Sequence, residues 1–304
     1  MPNATPGSVV AFADVPPAPL APWAPGRLAG ILRGDPAAAI AATILLLVAL
    51  AAILAPWIAP YDPTQILDAA ARAQPPSATN WLGTDPLSRD LLSRLLSGAR
   101  ISLGVSFLAV IVAMVVGTAW GAVAGFAGGW VDRALMHVVD AGLAIPRILL
   151  LLGIVALWGT LSTPAIVLLL GLTGWFGGSR LIRAEVRATR ERDFVRAARA
   201  TGASPFRVLV RHVLPHAMTP MFVAATLGVG QVIVIEAGLA FLGYGVASPA
   251  ASWGSLIRDG REVLSTAWWM SVFPGMALAT TVLAVNVLGD RLRSALGATQ
   301  LHDP

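Results

Sequence analysis

The chain has 304 residues, 56% of them hydrophobic and only 12% charged, with a mean hydropathy of +0.74. That balance excludes an ordinary soluble domain and points to a membrane protein. All 21 basic residues are arginine and the net charge is +5, but the arginines border hydrophobic stretches rather than form a nucleic-acid patch; with no cysteine there is no disulfide framework or thiolate chemistry.

Residues 1–36 carry seven prolines within the first 26 positions and lack a basic segment ahead of an apolar core, so they read as a disordered tail, not a cleaved signal peptide. Residues 37–58 then run for 22 positions without a charge, enough for a helix to cross about 30 Å of hydrocarbon. Residues 59–100 have loop chemistry, broken at Trp81-Leu82-Gly83, with a short amphipathic helix expected over 90–97. A second span is expected over 101–125. The uncharged stretch 148–178 is too long for one crossing and is interrupted at 159–164, which sets a third span at 134–158 and a fourth at 164–181. Spans five and six fall at 218–244 and 267–289. Trp57, Trp81, Trp130, Trp268 and Trp269 flank these spans as interface anchors do.

Six crossings predict an all-α polytopic membrane protein with the N-terminus, the 126–133 turn, the 182–217 loop and the C-terminus on one side. The arginines agree. Nine lie between Arg180 and Arg211, and with Arg27, Arg33, Arg133, Arg291 and Arg293 that side holds 14, against six in the two larger opposite loops. Positive charge marks the cytoplasmic face.

Within the 182–217 loop, residues 187–200 are rich in Ala and Arg, both good helix formers, and Gly202 stands where a left-handed cap needs a residue without a side chain. Ser204 and Pro205 supply an N-cap and a first-turn proline for a second short helix, which Pro215 is expected to end. Phe206, Val208, Leu209, Val210 and Val213 exceed what a solvated loop needs, so one face is expected to pack on another protein. Periodicity alone leaves open a basic amphipathic segment resting on anionic lipid.

Three ionisable residues fall inside or beside spans. Asp140 and Arg147 lie two turns apart, which predicts a shared helix face; Arg147 either lines a translocation path or pairs with a neighbouring span. Glu236 is a costly membrane carboxylate and so a functional candidate, but its place close to the Gly243 to Gly245 break predicts a hydrated residue pairing with the outer loop. His212 and His216 are four apart with Pro215 between them and no third ligand near in sequence, so no metal or cofactor is expected.

Arg196-Ala197-Ala198, then Gly202, then His212-Val213-Leu214-Pro215 resembles the cytoplasmic EAA-x3-G-x9-I-x-LP loop of ABC importer permeases. Arg196 stands at the glutamate position and His212 at the isoleucine position. The run from Leu82 through Asp85, Arg89, Asp90 and Arg94 to Arg100-Ile101-Ser102-Leu103 is similar to the LGTDxxGRDxxSRxxxGxRxSL signature of the second, C-type permease of dipeptide, oligopeptide and nickel importers, with Ser88 replacing a glycine. Glu236 to Gly245 followed by Ser252-Trp253-Gly254 resembles EAxLSFLGLG…SWG, with Ala240 at the serine position, and 286–293 resembles NxxGDxLR. Four matches in order are far more specific than one.

The resemblance implies a type I ABC importer permease of six transmembrane helices in a bacterial plasma membrane, with 37–304 as the transmembrane domain and both termini cytoplasmic. It implies a second permease subunit, ATP-binding subunits and an extracytoplasmic solute-binding protein as partners, with peptides as cargo and nickel or another small solute as the alternative. The chain has no GxxxxGK[ST] phosphate loop, so it is expected to be a permease and not itself an enzyme. Arg196, Ala197, Ala198, Gly202, Ser204, Pro205, Phe206, Leu209, Leu214 and Pro215 are implied to dock the ATPase, and the region 60–100 to meet the binding protein. Arg147, Asp140 and Glu236 stand as candidates for the path. An ion-coupled carrier would need more ionisable positions at mid-membrane depth, and an intramembrane enzyme a GxSxG or HExxH that is absent.

Overall fold

The computed structural model describes residues 34–68, 71–159, 161–247 and 249–297, together with Gly30. The expected tail lies outside the described residues except near its end, where Asp35 caps the first helix: its Oδ1 accepts from the Ala37 N–H at 2.9 Å. The described chain is almost entirely helical: α1 (Pro36–Ile58), α2 (Leu91–Ala127), α3 (Gly129–Ala144), α4 (Arg147–Trp158), α5 (Thr163–Gly174), α6 (Phe176–Arg190), α7 (Asp193–Ala200), α8 (Pro205–Val208), α9 (Leu214–Phe241), α10 (Trp253–Arg261) and α11 (Trp269–Gly297), with a π-turn at Leu209–Val213 joining α8 to α9. Four helices are long and apolar enough to cross a membrane, counting Pro205–Phe241 as one; the bent pairs α3/α4 and α5/α6 bring the number to six.

Several boundaries differ from the sequence expectation, each for a local reason. No separate helix forms over 90–97; Asp90 caps α2 directly, accepting from the Ser93 N–H at 2.8 Å, and the helix runs unbroken for 37 residues. The third span is bent by 81° between α3 and α4. Ile145 precedes a proline, is driven out of the helical region to φ −93°, ψ 125°, and ends α3 there. Asp140 and Arg147 therefore do not share a helix face. Past a 47° bend at Trp175, α6 continues to Arg190, so the loop expected from 182 begins only at the following residue.

The bundle is built around the contact of α2 with α6. Gly117, Gly121 and Gly125 form a four-residue repeat along α2, and a Cβ on Gly121 would lie 2.3 Å from the Ser179 carbonyl oxygen and 3.0 Å from Ile182 Cβ. On Gly125 it would lie 2.7 Å from the Arg183 carbonyl oxygen. In lipid, where the surroundings are as apolar as the helices, such backbone approach supplies the dispersion contacts that hold a pair together. Polar ties lock the same end: Asp132 of α3 takes Arg183 of α6 through both oxygens, at 2.5 and 2.7 Å, and Arg190 Nη1 donates to the Gly125 and Phe126 carbonyls that close α2.

At the other end of α2, residues 80–94 fold into a polar knot. Asp85 is fully buried; it accepts from the Leu87 and Arg89 N–H groups at 2.9 and 2.8 Å, and pairs with Arg89 Nε at 2.7 Å and with Arg94 Nη1. Asp90 holds Asn80 Nδ2 at 2.9 Å with its second oxygen. Trp269 is not an exposed anchor: it is 5% exposed, and its Nε1 donates to the Thr84 carbonyl at 3.3 Å, whereas Trp57, Trp81, Trp130 and Trp268 are exposed. Ser88 sits in this knot at φ 58°, buried, with its hydroxyl unpartnered. A left-handed backbone costs a side-chain-bearing residue about 1–2 kcal/mol. Ser88→Gly is therefore expected to stabilise the protein by about 1 kcal/mol net of the glycine's unfolded-state entropy, seen as a higher melting temperature in detergent.

Candidate functional site

The residues expected to dock a partner lie on the elbow between α6 and α9. The helix expected over 187–200 is in fact broken at Glu191 and Arg192, and α7 closes on a complete Schellman motif: the Gly202 N–H reaches the Arg199 carbonyl at 3.0 Å and the Ala203 N–H the Ala198 carbonyl at 3.2 Å. Gly202 has φ 80°, the left-handed conformation the corner requires. Ser204 then caps α8, accepting from the Arg207 N–H at 3.4 Å, with Pro205 in the first turn.

Pro215 does not end the second helix, contrary to the sequence reading. A proline has no N–H and its ring crowds the carbonyl four residues back. The chain widens instead: the Leu214 N–H bonds the Leu209 carbonyl, five residues back, and the helix proceeds through Pro215 to Phe241. The elbow is thus rigidly continuous with the fifth span.

Its inner face is a core. Val195, Val208, Val213 and Ala217 are buried with Ile182 and Val186 of α6 and Ala122 of α2, and Leu209 and Leu214 lean on the same cluster. Val208 and Val213, counted from sequence toward an outward surface, are consumed by this internal packing. What faces outward is Phe206, 76% exposed, with Val210 at 45% and the exposed Arg196, Ala197, Gly202, Ser204, Pro205 and Pro215; Ala198 is half-buried. Phe206 thus stands bare among small residues and arginines. Arg196 lies 3.8 Å from Asp193, with both side chains exposed, a pair that contributes little to stability.

The three path candidates are held by different partners and are not brought together. Asp140 forms an exposed pair with Arg180 at 2.5 Å. Arg147, at the start of α4, turns onto α5: its Nη2 donates to the Leu170 carbonyl at 2.7 Å, the guanidinium lies against Gly174, and Nε has no hydrogen-bond partner. Glu236 is not a hydrated interface residue. It is 1% exposed, and its Oε2 accepts from the Ser102 hydroxyl at 3.2 Å. Ser102 falls within the signature ending at Leu103, but its tie to Glu236, 134 residues away, is made only by folding. Among the described residues no group of three His, Asp or Glu side chains is placed to hold a metal; His216 stacks with Phe194 at 5.2 Å between ring centres.

At the opposite end of the bundle a charged cleft of about 400 Å³ lies between the polar knot and α10, walled by Asp85, Arg89 and Arg94 on one side and Ser255, Arg258 and Asp259 on the other. Arg94 Nη2 reaches Asp259 across it at 3.6 Å.

Residues 117–299 match the family described as the binding-protein-dependent transport system inner membrane component, and residues 27–76 match the N-terminal transmembrane domain of oligopeptide transport permease C. A putative peptide transport system permease protein of Brucella suis is 40% identical over 262 residues, covering 84% of this chain and 86% of that one. The nickel transport system permease protein NikC of Escherichia coli is 38% identical over 257 residues, covering 84% and 92%. Among solved structures, the inward-facing MetNI methionine ABC transporter shares the fold, with a TM-score of 0.54 at 20% identity over 66% of this chain and 95% of that chain.

Proposed function

The chain belongs to the family of inner membrane components of binding-protein-dependent transport systems, and on that premise we propose that it forms half of the translocation path of an ATP-driven peptide importer, with its elbow docked on an ATP-binding subunit. The observation that carries this reading is the bare Phe206 on an elbow continuous with α9. Movement of a partner bound there is transmitted into a membrane-crossing helix, because the π-turn preserves the rod where a proline would otherwise break it.

In this reading the elbow and both termini face the cytoplasm, in line with the excess of arginine on that side. A second permease subunit completes the path and an extracytoplasmic binding protein delivers cargo to the cleft end. ATP is hydrolysed by the partner subunits, and this chain converts their closure into a change of access, which requires contacts that differ between the two states. Peptide cargo is supported by the peptide transport relative; the nickel permease relative supports the second reading. Identifying the solute held by the binding protein that works with this chain decides between them: a bound peptide is expected, and bound nickel would overturn the peptide assignment.

Arg147 is the candidate for contact with cargo. An intramembrane arginine whose guanidinium is tied to a single protein carbonyl is a functional candidate, and its charge suits a carboxylate. Arg147→Ala is expected to lower uptake roughly tenfold, the scale of a charge-assisted hydrogen bond, while the subunits still co-purify. Unchanged uptake would reduce Arg147 to a tie between α4 and α5.

A further inference from the structure

Three stretches far apart in sequence meet in one buried seam: Gly98 and Ser102 of α2, Glu236 and Ala237 of α9, and the first turn of α10. The Ser102 hydroxyl donates to Glu236 Oε2 at 3.2 Å, and its oxygen accepts the Trp253 N–H at 3.1 Å, so one hydroxyl links the carboxyl group to the N-terminus of α10. The hydroxyl of Ser252, the N-cap of α10, is adjacent to the same carboxyl group. The start of α10 is thus capped, with the Trp253 N–H held by Ser102 and the Ser255 N–H by Ser252.

Packing closes the joint. A Cβ on Gly254 would lie 2.5 Å from both Cα and the carbonyl oxygen of Ala237, so α10 meets α9 backbone to backbone beside Glu236. The Trp253 indole donates to the Leu95 carbonyl of α2 at 3.1 Å. The same nine-residue helix carries Ser255, Arg258 and Asp259 into the charged cleft, and Glu236 stands on the same rod as Phe206, about 45 Å away at 1.5 Å per residue.

We propose that Glu236 is a positioning residue for transport: through Ser102 it latches α10 to the outer end of α9, so that a binding protein engaging the charged cleft is felt at the elbow through one rod. This rests on the reading of the elbow as the ATPase dock. A carboxyl group serving stability alone would be replaceable by any side chain that fills the space. A latch requires an acceptor for the Ser102 hydroxyl.

Two measurements test it. First, the chain has no cysteine, so Leu256→Cys places one thiol on the fully buried face of α10. Glu236→Ala and Ser102→Ala are each expected to speed maleimide labelling of that thiol roughly tenfold, as loss of one buried hydrogen bond implies, and Glu236→Gln, which keeps the acceptor, to change it little. Second, in the assembled transporter in proteoliposomes, the two alanine variants are expected to keep the basal ATPase rate and to lose roughly tenfold in its stimulation by cargo-loaded binding protein, with Glu236→Gln restoring most of it. Unchanged labelling in both alanine variants overturns the latch, and so does faster labelling with full stimulation. Ser102→Ala removes a single hydroxyl and carries the test if Glu236→Ala does not assemble. If labelling responds as expected but no ATP-binding subunit co-purifies with the wild-type chain, the α9–α10 joint stands and the docking reading of the elbow fails.

Discussion

Gly121→Val is expected to leave no stable bundle. The added Cβ would lie 2.3 Å from the Ser179 carbonyl oxygen, an atom of α6 backbone that cannot rotate aside, so α2 and α6 would have to separate. Their separation loosens the contacts of Gly117 with Trp175 and of Gly125 with Arg183 on the same stripe. Overpacking in a rigid core costs about 3 kcal/mol, and here the loss spreads along the helix pair on which α5, α9 and α3 are also seated. The expected readout is loss of a monodisperse detergent-solubilised species and degradation in cells. Gly104→Val is the control: it lies on the same helix with nothing within 4 Å of its added Cβ, and should leave the protein intact. Equal stability of the two variants would contradict the packing argument.

Gly202→Pro is expected to abolish co-purification with the ATP-binding subunits while the chain remains inserted and folded. Gly202 sits at φ 80°, and proline is fixed near −65°; the substitution also deletes the N–H that reaches the Arg199 carbonyl. Both halves of the Schellman motif then fail, and the exposed faces of α7 and α8 lose their mutual angle. Gly202→Ala separates strain from docking: it keeps the N–H, costs about 1 kcal/mol for a left-handed alanine, and should weaken association without eliminating it. Full association of the proline variant would remove the elbow from the interface.

How much of this was legible in the sequence depended on how local its cause was. The apolar stretches, the glycine corner at Gly202 and the Ser204-Pro205 helix start are read from neighbours in the chain, and the structure has them. The 81° bend between α3 and α4 was also signalled locally, by the constraint Pro146 puts on Ile145, but counting hydropathy toward a full-length span concealed it. Pro215 misled in the opposite direction, since the local rule that proline ends a helix was met by a π-turn. Glu236 and Trp269 depart from the sequence expectation because their environment is tertiary. Near a span end each reads as interfacial, and only Ser102, 134 residues from Glu236, and Thr84, 185 residues from Trp269, account for their burial. Val208 and Val213 likewise became core when Val186 and Ile182 folded beneath them.

Docking of an ATPase on the elbow can be read from one thiol at the exposed Ala197, in a chain that has no other cysteine. The expected result is that Ala197→Cys crosslinks to an ATP-binding subunit in membranes and is shielded from an impermeant maleimide added to intact cells. Labelling of that thiol from outside the cell, or a co-purified ATPase that never crosslinks to it, would remove the elbow from the ATPase interface.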